Sequence, residues 1–421
     1  MEALKLTPPL LHYFENCQGC SVCAPSCPYY YIDPKYGPVE KAEYLRELMR
    51  KKYTVAGRLL GRLAGARGLK DFKDLWDVLK YAYRCADCGH CYITCPYGID
   101  SGHMVKNLRA VLYRAGVAPS LLKTLSEYER DERYVNSPQV VELWNNFVKT
   151  IDAPVGVKGA EVFVAVSLLD VLLTPDVVEN TVKILKHVGE SFTLPERPLG
   201  ILPPVSGVVG DTSSLKTTVH NIVSYIEKYS PKKVVFVNGC YTYPYFRFEA
   251  TNILKKKFLF EVLHISELLD RYIREGRLKF RKLEVSTAYY DSCQLGRRGG
   301  VYEEPRRVLK SIASRYVEFK HSRERTMCLG GGSGIALLSR RVVESLLKIG
   351  VGVEIDQKEE RFLTELSNDY KAAVEHVLKD IKQVNADVVV VVCPFVMFNL
   401  LDNGVKVEHF VNIVASSLVF Q

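Results

Sequence analysis

The sequence predicts an α+α/β chain, a helical domain over residues 1–152 followed by an α/β domain over 160–421. Three observations predict it. Up to about residue 151 the apolar residues recur at three- and four-residue steps, as Phe72, Leu75, Trp76, Leu79 and Tyr83 do. Residues 152–160 (DAPVGVKGA) then shift to small and turn-forming types, which places the boundary there. Beyond it, short β-rich runs alternate with helical runs, the pattern of a mostly parallel sheet covered by helices.

Each element follows from its local pattern. A short helix is expected before residue 17, turns at Asp33-Pro34 and Gly37-Pro38, and a charged helix over 39–50. Helices are expected over 104–114 and, interrupted at Pro119, on to about 151. In the second domain VFVAVSLL (162–169), KKVVFVNGC (232–240), STAYYDSC (286–293) and DVVVVVC (387–393) read as strands. Helices are expected over 175–188, 251–259, 265–274, 305–317, 336–347 and 368–384. This domain also repeats itself, over about 160–275 and 285–421. VVFVNGCYTYPYF (234–246) aligns with VVVVVCPFVMFNL (388–400), placing Cys240 opposite Cys393. ILPPVSG (201–207) aligns with CLGGGSG (328–334), and His264 and His409 follow at similar distances. Two pseudo-repeats whose strands end in cysteines point to a shared crevice, because ligands of open α/β sheets bind at the C-terminal strand ends.

The first domain carries the strongest chemical signal. CQGCSVCAPSCP (17–28) and CADCGHCYITCP (85–96) both read C-x2-C-x2-C-x3-C-P. Three cysteines on a tight loop suit three irons of one cubane cluster, and the fourth, before proline, ligates the other cluster. This predicts an α-helical two-[4Fe–4S] ferredoxin domain. Cys17, Cys20, Cys23 and Cys95 are assigned to one cluster, and Cys85, Cys88, Cys91 and Cys27 to the other. Zinc knuckles need only two cysteines per loop, and disulfide frameworks suit small secreted chains.

Bulk properties bound the rest. The 421 residues are 47% hydrophobic and 25% charged, an ordinary globular composition. No 18-residue apolar run or secretory signal is present, and twelve cysteines, eight of them needed as thiolates, suit a reducing compartment, so a cytoplasmic location is expected. The net charge of +9 is spread, with 21 Lys/Arg against 17 Asp/Glu over 1–155 and 36 against 31 beyond, so no nucleic-acid partner is expected. The exception is 50–73, with eight basic residues and one acid. There Val55, Leu59, Leu60 and Leu63 fall at helical spacing, so one basic amphipathic helix is expected. It either packs its apolar face on the first domain or docks on an anionic membrane surface or acidic partner.

With the double cysteine loop, DSCQLGRRGGVYEEPRRVL (291–309), MCLGGGSG (327–334) and VVCPFVMFNL (391–400), the chain resembles the cysteine-rich (CCG) domain iron–sulfur proteins. These include the catalytic subunit of heterodisulfide reductase and the iron–sulfur subunits of glycolate, D-lactate and glycerol-3-phosphate dehydrogenases. The family's motif supplies five cysteines per repeat. Here the second repeat keeps Cys293, Cys328 and Cys393, with Leu329 and Val396 at the other two positions. The first keeps only Cys240, with Ile201 and Leu202 in place of the cysteine pair and Tyr243 closing the C-x2-C. An acidic insertion over 354–365 lengthens the spacing between Cys328 and Cys393. Two non-cubane clusters cannot be built from this inventory. Cys240, Cys293, Cys328 and Cys393 are the count for a third cluster or one zinc ion, or they stay as buried thiols.

Other patterns are weaker. The glycine run at 330–334 and GVVGDTSSLKTT (207–218) lack a phosphate loop's Lys-Ser/Thr, and no G-x-G-x-x-G follows a strand. Tyr241, Tyr243, Tyr245, Tyr289 and Tyr290 are expected around the crevice, and His264 and His409 in the core of the repeats. The resemblance implies an electron-transfer iron–sulfur subunit of an oxidoreductase complex, served by a flavoprotein or other redox subunit, with a peripheral membrane or membrane-subunit association. The alternative is a heterodisulfide or thiol–disulfide reductase whose own remodelled cluster is catalytic.

Overall fold

The computed structural model describes residues 5–201, 204–239 and 241–419. Its N-terminal part is helical: α1 (Pro8–Asn16), α2 (Pro38–Tyr53), α3 (Val55–Leu60), α4 (Leu75–Tyr83), α5 (His90–Thr94), α6 (Ser101–Arg114), α7 (Ser120–Arg130) and α8 (Pro138–Thr150). Proline opens α1, α2 and α8, where its missing N–H costs nothing and its fixed φ suits the first turn. Helix α2 buries Ala42, Leu45, Leu48 and Met49 on one stripe, against α6 with Val105, Leu108 and Leu112.

The expected single helix over 50–73 is broken. Thr54 ends α2 and caps α3, Gly61 turns at φ +54°, and short 3-10 turns cover Gly61–Ala64 and Leu69–Asp71. Val55, Leu59, Leu60 and Leu63 are exposed rather than packed on the domain.

Two four-stranded parallel sheets follow. Strands β1 (Val162–Ala165), β2 (Phe192–Thr193), β3 (Lys233–Phe236) and β4 (Glu261–His264) form one in the order β2-β1-β3-β4. Strands β5 (Leu283–Tyr289), β6 (Ala313–Val317), β7 (Val388–Val391) and β8 (Val407–His409) form the other in the matching order β6-β5-β7-β8. The neighbours pair in parallel, as Val164 with Val235 and Ala288 with Val389 show. The sheets touch at their C-terminal ends, where the Gly239 N–H donates to the Val392 carbonyl at 2.6 Å. Four strands were not expected from sequence, and residues 313–317, expected as the end of a helix, are β6. The run 162–169 ends as a strand at Ala165 and re-enters a helix at Leu168. The expected helix over 251–259 ends at Leu254, where Lys255 takes φ +52°.

Most of the acidic insertion is not a loop. It forms the first turns of a 25-residue helix, Gln357–Ile381, which crosses back to the helical part. Phe362 packs edge-on against Trp76 and Tyr83, Lys80 pairs with Glu365, and Arg84 reaches Asp369 at 2.6 Å. One apolar core therefore runs from α2, α4 and α6 into Ile335, Leu337, Phe362 and Leu366.

Candidate metal centre

The first cysteine loop lies between α1 and α2. Cys20 is exposed, Cys17 and Cys27 are half-buried, and Cys23 is buried. Arg46 of α2 donates to the Cys17 carbonyl at 3.0 Å. As a bare thiol Cys23 is pushed up to about 12, first by burial and then by the neighbouring Cys95, with Cys17 and Cys20 adding to it. Cys95, from the second loop, is thus an electrostatic neighbour of the first loop's cysteines.

Cys27 turns the other way. Its sulfur takes a hydrogen bond from Lys41 Nζ at 3.3 Å. Lys41 is 1% exposed and also donates to the Arg84 carbonyl; burial pushes the Cys85 thiol up to about 11 even though the charge of Lys41 acts to lower it. A buried ammonium beside two sulfurs from different loops offsets negative charge that the interior would otherwise disfavour. Cys91 is raised well above its ordinary value by burial, then by Asp100, Cys88, Cys85 and Cys23. The electrostatics thus link cysteines across the two loops, Cys23 with Cys95 and Cys91 with Cys23. Among the described residues no three His, Cys, Asp or Glu side chains converge where one metal ion would bind. A cubane is ligated at separate iron corners, so its thiolates need to be spread around a volume.

In the α/β part, Cys293 follows β5, Cys393 follows β7, and Cys328 lies on the loop between β6 and the helices beyond it. The sulfurs of Cys293 and Cys328 are 3.8 Å apart, and with Cys393 they line a cavity of about 90 Å3. Gln294 donates to the Asp87 carbonyl and leaves its buried side-chain oxygen without a partner at that cavity. Leu202 and Cys240, also singled out by sequence, lie outside the described residues. On either side of Cys240, Gly239 bonds Val392 and Tyr241 lines the cavity. Of the expected tyrosines only Tyr241 and Tyr290 line it. Tyr243 packs on His264, Tyr245 on Phe246, and Tyr289 beside Arg306.

This second group abuts the first. Cys328 and Arg297 lie close enough to Cys88 to favour its thiolate, while Cys293 and Cys88 raise Cys328. The glycine run makes the approach possible. Gly330 N–H points to the Cys328 sulfur at 3.3 Å, and a Cβ on Gly332 would lie 2.3 Å from the Ala86 carbonyl oxygen of the second cysteine loop. Close packing between cysteine loops, as well as a turn, is the reason for glycine here.

Several residues escaped the sequence reading. Arg297 donates to the Cys88 carbonyl at 2.7 Å, and Arg298 pairs with Asp87 and Asp100, each at 2.6 Å. Arg109 reaches the carbonyls of Ala82, Cys85 and Ser333. Lys41 was findable, because a lysine in register with Leu45 and Leu48 stands on the buried stripe of α2. Arg297 and Arg298 stand in the quoted motif, but nothing in its letters says that they face another loop.

Residues 16–100 match the 4Fe-4S dicluster domain, and residues 287–348 the cysteine-rich domain. Over 448 residues the chain is 26% identical to one of the subunits of the dihydromethanophenazine:CoB–CoM heterodisulfide reductase of Methanosarcina acetivorans, covering 99% of this chain and 97% of that one. It is 43% identical to the Hdr-like menaquinol oxidoreductase iron–sulfur subunit 2 of Archaeoglobus fulgidus over 112 residues, 25% of this chain and 19% of the relative. It is 25% identical to the EtfAB:quinone oxidoreductase of Syntrophomonas wolfei, over 93% of this chain and 55% of the relative. The chain thus carries a match to a 4Fe-4S dicluster domain followed by one to a cysteine-rich domain, and is similar along its length to the Methanosarcina heterodisulfide reductase polypeptide.

Proposed function

We propose that the chain is the electron-transfer iron–sulfur subunit of an oxidoreductase complex, linking a flavoprotein or other redox subunit to an acceptor. Cys17, Cys20, Cys23 and Cys95 hold one [4Fe–4S] cluster, and Cys85, Cys88, Cys91 and Cys27 the other. Cys293, Cys328 and Cys393, with Cys240, hold a third. Bound clusters of this kind supply one-electron steps, which suits the division of a flavin's electron pair. The observation that carries the reading is the nearness of the three cysteine groups. Cys23 of the first loop is among the charges that raise Cys91 of the second, Cys88 of the second is among those that raise Cys328, and the Cys328 and Cys293 sulfurs lie 3.8 Å apart.

The surrounding residues serve that path. Lys41 and Arg297 hold positive charge beside the sulfurs of Cys27 and Cys88, and Gly330 gives an N–H to Cys328. Arg298, locked between Asp87 and Asp100, keeps the second cysteine loop against the π-helical turn that begins at Gln294. Val22, Tyr92, Ile93 and Tyr97 are exposed beside Cys20 and its neighbouring loop, an apolar surface for the redox partner. The thiolate inventory suits a reducing compartment, the cytoplasm. Among the described residues no helix is long and apolar enough to cross a membrane.

Anaerobic iron and sulfide content with paramagnetic resonance of the reduced chain tests the reading. About twelve irons per chain are expected. About eight would remove the crevice from the path, and fewer would overturn the proposal.

The cavity beside Cys293 and Cys328 favours a second reading, a disulfide reductase acting there. Turnover of a disulfide by the isolated chain with a reduced dye would establish it, and no turnover would leave the relay alone.

A further inference from the structure

The sulfur path leaves one built feature without a role. Helix α3 and the 3-10 turn after it project from the end of α2 and present Val55, Leu59, Leu60 and Leu63 to solvent, at 68%, 79%, 57% and 91% exposure. Contiguous large apolar side chains on a surface mark an interaction site.

The projection is held in place. Thr54 Oγ1 accepts the Gly57 N–H at 2.9 Å and caps α3. Gly57 is buried where a Cβ would lie 2.2 Å from the Arg50 carbonyl oxygen, so α3 presses its smallest side onto α2 and turns its leucines outward. Arg50 Nε donates to the Gly65 carbonyl at 2.7 Å, and Arg67 makes a bidentate pair with Glu47 at 2.8 Å, tying the far limb back to the same helix. Gly61 and Gly65, at φ +54° and +61°, make the turn that L side chains resist.

The exposed charge around the leucines is mostly positive. Arg58, Arg62, Lys70 and Lys73 are exposed there, and the one acid of the segment, Asp71, gives its carboxylate to the Gly68 N–H. Arg50 and Arg67, nearer the body, are taken up by Glu43 and Glu47.

We infer that this projection docks the chain on an anionic lipid surface, with the leucines entering the boundary between headgroups and acyl chains and the arginines and lysines lying against the phosphates. A second copy of the chain would set Arg58, Arg62, Lys70 and Lys73 against the same four and be repelled. A protein groove would cover the leucines without needing a fringe of one charge. A lipid surface uses both features. The inference does not rest on the electron-transfer reading. It also orients the molecule: Arg46, which holds the Cys17 carbonyl, lies about 10 Å back along α2 from the projection.

The test is co-sedimentation of the full, cluster-loaded chain with vesicles of phosphatidylcholine alone or mixed with phosphatidylglycerol. Binding to the anionic vesicles is expected to be stronger by about tenfold or more and to weaken with salt. A Leu59→Ser/Leu63→Ser chain and an Arg58→Glu/Lys70→Glu chain are each expected to lose most of that binding, with iron content and visible spectrum unchanged. Failure to pellet with either vesicle, equal binding to both, or undiminished binding by the leucine variant would overturn the inference. So would a leucine variant that changes sedimentation velocity without lipid, since the leucines would then join copies of the chain.

Discussion

The two parallel sheets share one strand order and end in different chemistry. Past β1 and β3 the chain places Ser167, Asp170 and Asn238 around a cavity of about 30 Å3. Past β5 and β7 it places Cys293 and Cys393, with Cys328 facing them, around one of about 90 Å3. In the first crevice Asp170 takes the Ser167 N–H at 2.7 Å and the amide N–H of Asn238, whose own buried oxygen is left without a partner. Enclosure raises the Asp170 carboxyl while those bonds lower it. In the second crevice the side chains are thiols, with a buried Gln294 oxygen left over. The same backbone scaffold closes down to a small cavity around a carboxylate in one half and opens onto a larger, thiol-lined cavity in the other. Side-chain inventory at the strand ends, rather than topology, decides which half is a site.

Removing the thiols is the strongest way to break that contrast. Cys293→Ala and Cys328→Ala are each expected to lose about four irons per chain, whereas Asp170→Asn is expected to keep all of them. Iron and sulfide analysis with the resonance spectrum decides. Variants that keep all their iron would make the second crevice as closed as the first.

The next largest effect concerns what holds the open crevice in shape. Arg306 is fully buried, forks onto Asp291 with two bonds of 2.7 Å, and reaches Glu318. Asp291, two residues before Cys293, also takes the Arg323 N–H at 2.7 Å. Arg306→Ala leaves a buried carboxylate without its main partner, which costs about 3–5 kcal/mol. In the first half the matching step is local, and Asn238→Ala is expected to cost only about 1–3 kcal/mol. Denaturant midpoints compare the two, and equal costs would show that both crevices depend on their polar partners alike.

This difference also explains how much was readable in the sequence. The cysteine loops were legible because iron ligation demands fixed spacing, β1, β3 and β7 because buried valines cluster there, and β5 because its Thr287 and Tyr289 are strand-favouring types. Strands β2, β4, β6 and β8 were not. Glu261–His264 and Val407–His409 are three or four residues long and pair on one side only, so their letters carry little β signal. The helix 357–381 was half seen, since its acidic start reads as an insertion until Phe362 is known to meet Trp76. Arg109, Arg297 and Arg298 act on backbone carbonyls and carboxylates from distant segments, and no local pattern reports such a contact. The apolar residues of 50–63 misled for a related reason. Helical spacing says that they share a face, not that the face is covered.

The histidines that end β4 and β8 offer a matched pair, one per half. His264 and His409 are fully buried, and each ring Nδ1 accepts a helix-capping N–H, from Ser266 at 3.2 Å and Val411 at 3.3 Å. Burial lowers them to about 3 and about 4 from 6.5. Between those values and 6.5 the unfolded chain binds more protons than the folded one. The stabilisation is therefore complete above 6.5 and lost as pH falls toward 4 and then 3. Each histidine accounts for about 2 kcal/mol between pH 7 and about pH 5. His409→Asn, which keeps a capping oxygen without titrating there, is expected to remove about half of that slope in urea midpoints, and His264→Asn the other half. A slope that neither variant changes would assign the acid sensitivity to the cysteine loops instead.

The smallest effect separates the halves by readout rather than by size. Each sheet has a serine just past a central strand. Ser167 works within its own half, accepting the Asp170 N–H at 3.2 Å while Asp170 returns the bond, a capping box for the helix Leu168–Leu173. Ser292 works across the halves, donating to the Gly239 carbonyl at 2.7 Å beside Cys293. Ser167→Ala and Ser292→Ala are each expected to cost about 1 kcal/mol. Only the second is expected to shift the resonance signal of the reduced chain, because only that hydrogen bond joins the two sheets at the cysteines. If Ser167→Ala shifts the signal equally, the first crevice is coupled to the second and the contrast between a closed half and an open half does not hold.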